Sequence, residues 1–245
     1  MAVADVVQLR RNLLLDALDD DALDAVAEVA ECIAYDIRDP VYDMGEPLDL
    51  VLFPADGVFS LVSVMEDGRS VEVGTVGREG FVGVPVLLEG SFTSEHMAFC
   101  QLPGDVMQVR VPDFQRLLGE LPVLRSMLHR YTLALLAQIA QASACNRLHT
   151  LEQRCARWLL MTHDRMGREE FPLTQEFLGQ MLGVRRARVN EAQQALATAG
   201  LIAYARGSVA VLDRPGLERQ VCECYELIRG EHERLAAFDP AAAQL

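Results

Sequence analysis

The period of the apolar residues changes along the chain, and each change predicts a different kind of element. Near the N-terminus the period is helical, and we predict one amphipathic helix over roughly Leu9–Glu31. Residues 32–111 hold short runs of Val, Ile, Leu, Phe and Met between glycines and prolines, a pattern typical of an antiparallel β-roll or jelly roll. The clearest turn is Asp67-Gly68, because glycine accepts the positive φ that a tight hairpin requires.

The helical period returns after these strands. Pro122 can occupy the first turn of a long helix that we predict to reach about Asn146. A near-heptad stripe runs along this helix: Leu124, Leu128, Tyr131, Leu135, Gln138 and Ala142. A stripe this narrow favours pairing with the same helix of a second copy of the chain. Packing on the chain's own β-roll stays open, because Leu133, Leu136 and Ile139 form a second apolar face.

Two further amphipathic helices bracket the C-terminal part of the sequence. We predict one over residues 150–166, ending at Gly167, and a last one over Leu217–Leu235. Between them we predict two closely spaced helices and a short strand pair that turns at Arg206-Gly207-Ser208. This order of elements indicates a helix-turn-helix followed by a two-stranded wing.

Residues 173–192 carry the pattern of the helix-turn-helix itself. Thr174 is a good N-cap for the first helix, because its hydroxyl can accept from an otherwise unpaired backbone N–H. Gly179 lets the two helices approach closely, and Gly183 can adopt the left-handed conformation that ends the first helix. The second helix then begins with Arg185, Arg186, Arg188 and Asn190. Their donors suit guanine edges, adenine edges and phosphates, as a recognition helix requires.

The predicted wing places one more arginine near DNA. Arg206 stands at the tip of the strand pair, where it would reach the backbone of the neighbouring groove. The residues that we predict to contact DNA are Thr174, Gln175, Arg185, Arg186, Arg188, Asn190 and Arg206.

The net charge of −14 is unevenly divided along the chain. Residues 1–145 carry 9 Arg against 23 Asp and Glu, whereas residues 146–245 carry 13 of each sign. Within residues 185–214 there are five Arg and two acids. A DNA phosphate interacts with the charges nearest to it and not with the net charge of the whole chain. We therefore expect the C-terminal half to contact DNA and the acidic half to repel it.

The chain resembles the Crp/Fnr family of bacterial transcription factors over almost its whole length. The strongest match is Thr174–Val189 with the exit Gly200-Leu201-Ile202, and a weaker one is the glycine-punctuated roll with Gly80-Phe81-Val82-Gly83. The resemblance implies a homodimer formed through the long helix, an effector-sensing roll, and two recognition helices in successive major grooves of a near-palindromic operator. It also implies that Arg186 reads a guanine.

The predicted class is therefore α+β, with an N-terminal antiparallel β-roll or jelly-roll sensor domain, a long dimerisation helix and a C-terminal winged helix-turn-helix. We predict domain boundaries of 1–120 for the sensor, 121–147 for the dimerisation helix and 148–245 for the DNA-binding domain. The function that follows is sequence-specific transcription regulation on double-stranded DNA, with RNA polymerase as a second candidate partner. The alternative is a small-molecule sensor that acts through a protein partner rather than DNA.

The predicted effector pocket departs from the pattern of the cyclic-nucleotide-binding members. Those members resemble one another in a Gly-Glu pair for the ribose and, about eleven residues later, an Arg-Ser or Arg-Thr pair for the phosphate. Here Gly83 is followed by Val84, and the later positions are Ser94 and Glu95. An acceptor is missing and an acid replaces the cation, so we predict that no cyclic nucleotide controls the protein.

The six cysteines give no strong metal or disulfide pattern, because none has C-x-x-C spacing. Cys145 and His149 share a helical face with Cys155 nearby, which could hold a metal, but a structural role is favoured. We expect Cys222 and Cys224 to point to different faces of the last helix. His96 or Cys100 could be a haem ligand, but a structural role is favoured for each. We therefore predict no metal site and no cofactor.

Two segments of the sequence bear on where the protein is located and on whether it is an enzyme. Arg10-Arg11 precedes Leu13–Leu15, but these leucines are followed at once by four acids, Asp16, Asp19, Asp20 and Asp21, which no secretory hydrophobic region tolerates. We therefore expect a cytoplasmic protein without a membrane span. His163-Asp164 lacks a nucleophile that the sequence would place beside it. We predict that the protein is not an enzyme.

Overall fold

The computed structural model describes residues 2–90 and 93–237. The elements up to the long helix are β1 (Ala2–Val3), α1 (Val6–Leu9), α2 (Leu13–Asp16), α3 (Asp20–Ala27), β2 (Glu31–Tyr35), β3 (Pro40–Tyr42), β4 (Leu50–Pro54), β5 (Val58–Val64), β6 (Ser70–Val76), α4 (Val84–Glu89), β7 (Met97–Leu102), β8 (Gly104–Arg110), α5 (Val111–Glu120) and α6 (Pro122–Leu148). They are followed by α7 (Leu151–Met166), β9 (Glu170–Pro172), α8 (Gln175–Met181), α9 (Arg186–Thr198), β10 (Ile202–Ala205), β11 (Ser208–Val211), α10 (Arg214–Gln220) and α11 (Cys224–Ala236).

The chain divides into two compact units. The first contains residues 2–61, 75–136 and the described residues from 231 onward, and the second contains residues 62–74 and 137–230.

The predicted α+β class, with an antiparallel roll, a long helix and a C-terminal winged helix-turn-helix, is confirmed. No helix in the described part of the chain is both long and apolar enough to cross a lipid bilayer.

Two four-stranded antiparallel sheets form the roll. Their strand orders are β1-β2-β8-β4 and β3-β7-β5-β6. In the first sheet β8 is central, pairing with β2 and β4. In the second, β5 and β6 form the predicted hairpin, and Gly68 in its turn has a φ of 81°, as a tight hairpin requires.

An aromatic cluster fills the core of the first unit. The ring of Phe81 lies 5.8 Å from that of Phe53, 6.2 Å from that of Phe114 and 5.3 Å from that of Tyr131, measured between centroids. All four residues are nearly fully buried. Because Tyr131 belongs to α6, the N-terminal half of the long helix is part of this core and not an isolated arm.

The single N-terminal helix that we expected over Leu9–Glu31 is wrong, since α1, α2 and α3 are separate and residue 31 begins β2. Asn12 causes the first break. Its buried side-chain oxygen caps α2 through the backbone N–H groups of Leu14 and Leu15, and its amide donates to the carbonyls of Pro54 and Gly80. Such side-chain bonds compete with a continuous helix. Asp19 makes the second break by capping α3.

Helix α6 spans the predicted length, but the predicted pairing face is wrong. Every residue of the Leu124 to Ala142 stripe is at least nine-tenths buried within the single chain, so it already serves as core. The second apolar face is the exposed one, with Leu133 67% and Leu136 57% accessible. The alternative interpretation, a helix packed within its own chain through the stripe, is therefore what the structure shows.

The C-terminal elements differ from expectation in two places. A third strand, β9, pairs with β11, which gives the wing sheet the order β10-β11-β9. The last helix expected over Leu217–Leu235 is broken into α10 and α11, and α10 begins at an N-cap formed by Asp213. Helix α7 ends at Gly167 in the left-handed conformation, as predicted.

Gly80 tests the aromatic core of the first unit. A methyl group at this position would overlap two ring carbons of Tyr131, whose side chain is buried in the core. We expect Gly80→Ala to lower the free energy of unfolding by about 1–3 kcal/mol. Gly119→Ala is the matched control, since nothing lies within 4 Å of its added methyl, and it should leave stability unchanged or raised. Denaturant titration followed by far-UV circular dichroism measures both, and equal midpoints would contradict the packing argument.

Candidate nucleic-acid interface

Helix α8 is the first helix of the predicted helix-turn-helix, and its local chemistry explains its start. The Thr174 hydroxyl accepts from the backbone N–H of Phe177 at 3.1 Å, which confirms the predicted N-cap. Phe177, Leu178 and Met181 are buried on one side of the helix. The helix therefore begins and packs as the sequence pattern indicates.

The turn between α8 and α9 is tight. The backbone N–H of Val184 donates to the carbonyl of Gly179 at 2.8 Å, and a methyl group on Gly179 would lie 2.9 Å from the carbonyl oxygen of Val184. Gly183 has a φ of 65°, the left-handed conformation that the sequence predicts. The two helices thus meet at a spacing that only glycine at 179 permits.

Helix α9 turns its polar side to solvent. Val189, Ala192 and Leu196 are buried at helical spacing, while the arginines at its start are exposed. Arg188 forms an ion pair with Glu191 at 3.4 Å. Neither Arg185 nor Arg186 forms an ion pair within the described part of the chain. Two guanidinium groups are therefore presented without a neighbouring acid to neutralise them.

The remaining predicted contacts lie around α9. The Gln175 amide donates to the Asn190 side-chain oxygen at 2.7 Å, which joins the start of α8 to the second turn of α9. The backbone N–H of Leu173 donates to the carbonyl of Gly207, so the wing tip lies beside Thr174 and the start of α8. The structure thus brings the predicted residues of both helices and of the wing into one region of the second unit.

The wing turn has a specific geometry. Arg206 and Gly207 have φ angles of 51° and 81°, and the flanking Ala205 and Ser208 are paired across the hairpin. Two successive positive φ angles are the signature of a type I′ turn, which matches the twist of the strands. Arg206 is exposed at the tip.

Sequence reasoning missed the contacts of residues 62–74 with this domain. The Trp158 indole donates to the Glu72 carboxylate at 2.9 Å, and the Gln180 amide donates to the Ser70 hydroxyl at 2.8 Å. A buried indole N–H requires an acceptor, but nothing in the sequence indicates which one. The hairpin thus contacts α8, the helix that precedes the turn.

The predicted effector residues lie in the first unit. Gly83 is the N-cap of α4 and Val84 its first residue. Ser94 is buried, and its backbone N–H donates to the carbonyl of Glu46 at 3.2 Å, whereas Glu95 is exposed.

The cysteines differ from expectation. The break between α10 and α11 brings Cys222 and Cys224 to the same side, where both are buried in a cluster with Cys145, and His149 lies close to all three. The expectation that the two C-terminal thiols diverge is therefore wrong, because they do not share one helix. Cys155 is buried outside this cluster, where burial raises the pKa of its thiol to about 12.

The geometry of residues 170–211 defines a winged helix-turn-helix, a class of fold that places its second helix in the major groove of DNA. Comparison with known families agrees, since residues 153–220 match the Crp-like helix-turn-helix domain. A comparison with curated protein sequences gave no match.

Solved structures match most of the chain. FixK2 from Bradyrhizobium japonicum is 18% identical with a TM-score of 0.65, covering 79% of this chain and 98% of that one. The c-di-GMP-responsive global regulator CLP from Xanthomonas campestris is 16% identical with a TM-score of 0.66, covering 80% and 100%. TTHB099 from Thermus thermophilus, a CRP-family transcriptional regulator, is 22% identical with a TM-score of 0.64, covering 77% and 95%. This chain carries a Crp-like helix-turn-helix domain and has the fold of Crp/Fnr regulators.

Proposed function

We propose that this protein is a cytoplasmic, sequence-specific transcription regulator that binds double-stranded DNA as a homodimer and has no catalytic activity. The observation that carries the proposal is the exposed, arginine-led start of α9 on a winged helix-turn-helix. A helix that served a protein partner would more often present an aromatic or aliphatic anchor at this position. RNA polymerase remains a second candidate partner, reached once the protein is on its operator.

The contacts divide by role. Arg186 lies in the first turn of α9, where a bidentate guanidinium can reach the O6 and N7 atoms of guanine. Asn190 has its side-chain oxygen fixed by Gln175, which leaves its amide nitrogen to donate to a base edge. Arg185, at the N-cap of α9, and Arg206, at the wing tip, suit phosphates on either side of the groove.

Two departures from the family pattern bear on the operator sequence. Ala187 stands where many members have a glutamate that reads cytosine, and Glu191 where several have a basic residue. Glu191 instead holds Arg188 at 3.4 Å and withdraws part of its charge from DNA. We infer that the half-site differs from the common family consensus at the position that Ala187 leaves unread.

Arg186→Ala and Arg206→Ala should weaken DNA binding in different ways. Loss of Arg186 should cost about 1–3 kcal/mol on the specific operator and relax preference at one base pair per half-site. Loss of Arg206 should weaken all sequences alike and reduce the salt slope by about one unit per protomer. Fluorescence anisotropy on matched and scrambled duplexes over a series of salt concentrations measures both.

Arg116→Ala, on the acidic first unit, is the control for this pair. Arg116 is half-exposed and already paired with Asp113 and Glu120, so its removal should leave DNA affinity unchanged. If the Arg186 and Arg206 variants lose affinity equally on every duplex, the division into a base reader and a phosphate contact is wrong.

The proposed dimer forms through the exposed face of α6. Leu133, Leu136 and Ala140 are exposed at spacings of three and four residues, the arrangement of a helix that pairs with a second copy. Large leucines so exposed on one helix stripe cost solubility unless they are covered. Two recognition helices that read successive major grooves must lie about 34–36 Å apart, one turn of DNA, so a dimer of this kind requires a near-palindromic operator.

Replacing Leu133 and Leu136 together by Glu should convert the dimer to a folded monomer, because four carboxylates would meet across the paired helices. Light scattering at micromolar concentration measures the mass, and circular dichroism checks the fold. Leu88→Glu is the matched control: this leucine is 62% exposed on α4, and its replacement should leave the dimer intact. A wild-type monomer, or a doubly substituted dimer, would refute this interface. A substitution in the buried stripe, such as Leu128→Glu, would not test the dimer, because it would disrupt the core of the single chain.

The effector is proposed to be something other than cyclic AMP or cyclic GMP. A buried cyclic phosphate needs a cation or several N–H donors, and each unpaired group costs about 1–3 kcal/mol. The Ser94 hydroxyl accepts from the backbone N–H of His96 at 3.1 Å and offers at most one O–H to a phosphate, and the next residue, Glu95, is an acid rather than a cation. Val84 and Pro85 begin α4 without a carboxylate for the ribose.

Isothermal titration of the purified dimer with each cyclic nucleotide should therefore show a dissociation constant above about 10 μM, a binding free energy weaker than about −7 kcal/mol. Glu95→Arg replaces the acid beside Ser94 with a cation and is the companion variant, which should bind each cyclic nucleotide more tightly than the wild type does. Tight binding by the wild type contradicts the proposal, whatever the variant does.

A further inference from the structure

Four side chains that can bind a metal converge in the second unit. Cys145 lies near the C-terminal end of α6, His149 follows that helix, Cys222 lies in the break between α10 and α11, and Cys224 begins α11. Their ligand atoms all lie within 4.8 Å of one another. The three thiols are buried and the imidazole is partly exposed. None of these residues takes part in the proposed DNA contact.

The distances are those of a tetrahedral site. The Cys145 and Cys222 sulfurs are 3.6 Å apart, and the Cys224 sulfur is 3.5 Å from Nδ1 of His149. With Zn–S of about 2.3 Å and Zn–N of about 2.0 Å, a regular tetrahedron separates two sulfurs by about 3.8 Å and a sulfur from a nitrogen by about 3.5 Å. These two separations are therefore close to those around a single ion, and the remaining ones, all within 4.8 Å, need only shorten by up to about 1 Å when the ion binds. An iron–sulfur cluster needs its thiolates much farther apart.

We propose that Cys145, His149, Cys222 and Cys224 form a structural Zn²⁺ site that joins the end of the long helix to the break between α10 and α11. Three thiolates and one imidazole make a Cys₃His set, one of the common closed coordination sets for structural zinc. The soft sulfur ligands select against Mg²⁺ and Ca²⁺, which prefer oxygen.

Two side chains around the cluster form the hydrogen bonds that metal ligands usually have to their surroundings. Nε2 of His149 lies 3.3 Å from a carboxylate oxygen of Glu223, the outer partner that typically fixes a zinc-binding histidine in the tautomer that ligates through Nδ1. The Gln141 amide donates to the Cys224 sulfur at 3.0 Å. A donor to the sulfur is what a thiolate ligand requires to offset its charge.

Burial and neighbouring groups shift the pKa values of two thiols of the cluster in opposite directions. Burial opposes ionisation of Cys145, but the Arg157 guanidinium and hydrogen bonds from His149 and the neighbouring thiols lower its pKa below the ordinary value. Burial and the adjacent Cys145 raise the pKa of Cys222 to about 12. Three thiolates at this distance would repel one another, so a cation between them is what would let all three carry charge together.

The test begins with the wild-type full-length protein, expressed with zinc and purified without chelator or added metal. Mass spectrometry of the metal content should give about one zinc per chain. Apoprotein prepared with a chelator should bind Zn²⁺ again in competition with a chromophoric chelator, and should bind Co²⁺ with the intense visible bands of tetrahedral thiolate coordination. Zinc should also raise the thermal midpoint of the apoprotein, as binding to the folded state alone requires.

Substitutions then separate the ligands from other cysteines. Cys145→Ser and Cys222→Ser should each lower the affinity for Zn²⁺ at least about 100-fold, and Glu223→Gln, which removes only the outer partner, about 10-fold. Cys155→Ser is the matched control, since Cys155 is equally buried in the same unit but outside the cluster, and its zinc content should equal that of the wild type.

The competing interpretation is a redox pair, because the Cys145 and Cys222 sulfurs are close enough to approach a disulfide. Zinc-free wild-type protein that shows no cobalt bands after reduction, or a Cys145–Cys222 disulfide in place of zinc found by peptide mapping, would overturn the proposal. The metal measurements and the peptide map are made without DNA. Absence of zinc would therefore leave the proposed regulator role intact, and absence of DNA binding would leave the proposed zinc site intact.

Discussion

The backbone of the turn between α8 and α9 leaves no room for a side chain at position 179. The carbonyl of Gly179 accepts from Val184 while the carbonyl of Val184 occupies the space that a methyl group would need. This contact fixes the angle between the two helices, and with it the direction in which the first turn of α9 points. Every role proposed for Arg185, Arg186 and Asn190 depends on that direction, because a base edge is read only at hydrogen-bonding distance.

Charge and packing act together to limit how the chain can meet DNA. The acidic excess is confined to residues 1–145, so a nucleic acid is repelled from the region that contains the roll. The C-terminal region is neutral in sum but presents exposed arginines at the start of α9 and at the wing tip. The DNA contact that we propose therefore rests on a small set of placed arginines and not on overall charge.

The elements that the sequence predicts well are those whose signals are local. The hairpin at Gly68, the cap at Thr174 and the left-handed Gly183 each depend on a few neighbouring residues, and all lie where expected. The stop of α7 at Gly167 belongs with them. The roll and the winged helix-turn-helix could therefore be predicted from periodicity and turn chemistry, together with the resemblance that their order suggests.

The errors have a common cause in partners that are distant along the chain. Asn12 interrupts the N-terminal helix because it bonds the carbonyls of Pro54 and Gly80, which no local pattern reveals. The Leu124 to Ala142 stripe is core and not interface, because period alone does not say which apolar surface covers a helix. The cysteine cluster escaped prediction for the same reason, since Cys145 and Cys222 are 77 residues apart and meet only through a helix break.

At the wing turn, the backbone conformation favours glycine, but the residue present is an arginine with a charged, exposed side chain. At Arg206 the chain adopts a left-handed φ of 51°, which costs a residue with a Cβ on the order of 1 kcal/mol relative to glycine. Glycine would thus make a more stable hairpin, and asparagine a nearly neutral one. Arg206 therefore lowers the stability of the folded chain relative to glycine at this position. Laboratory selection for thermostability alone should replace this arginine early.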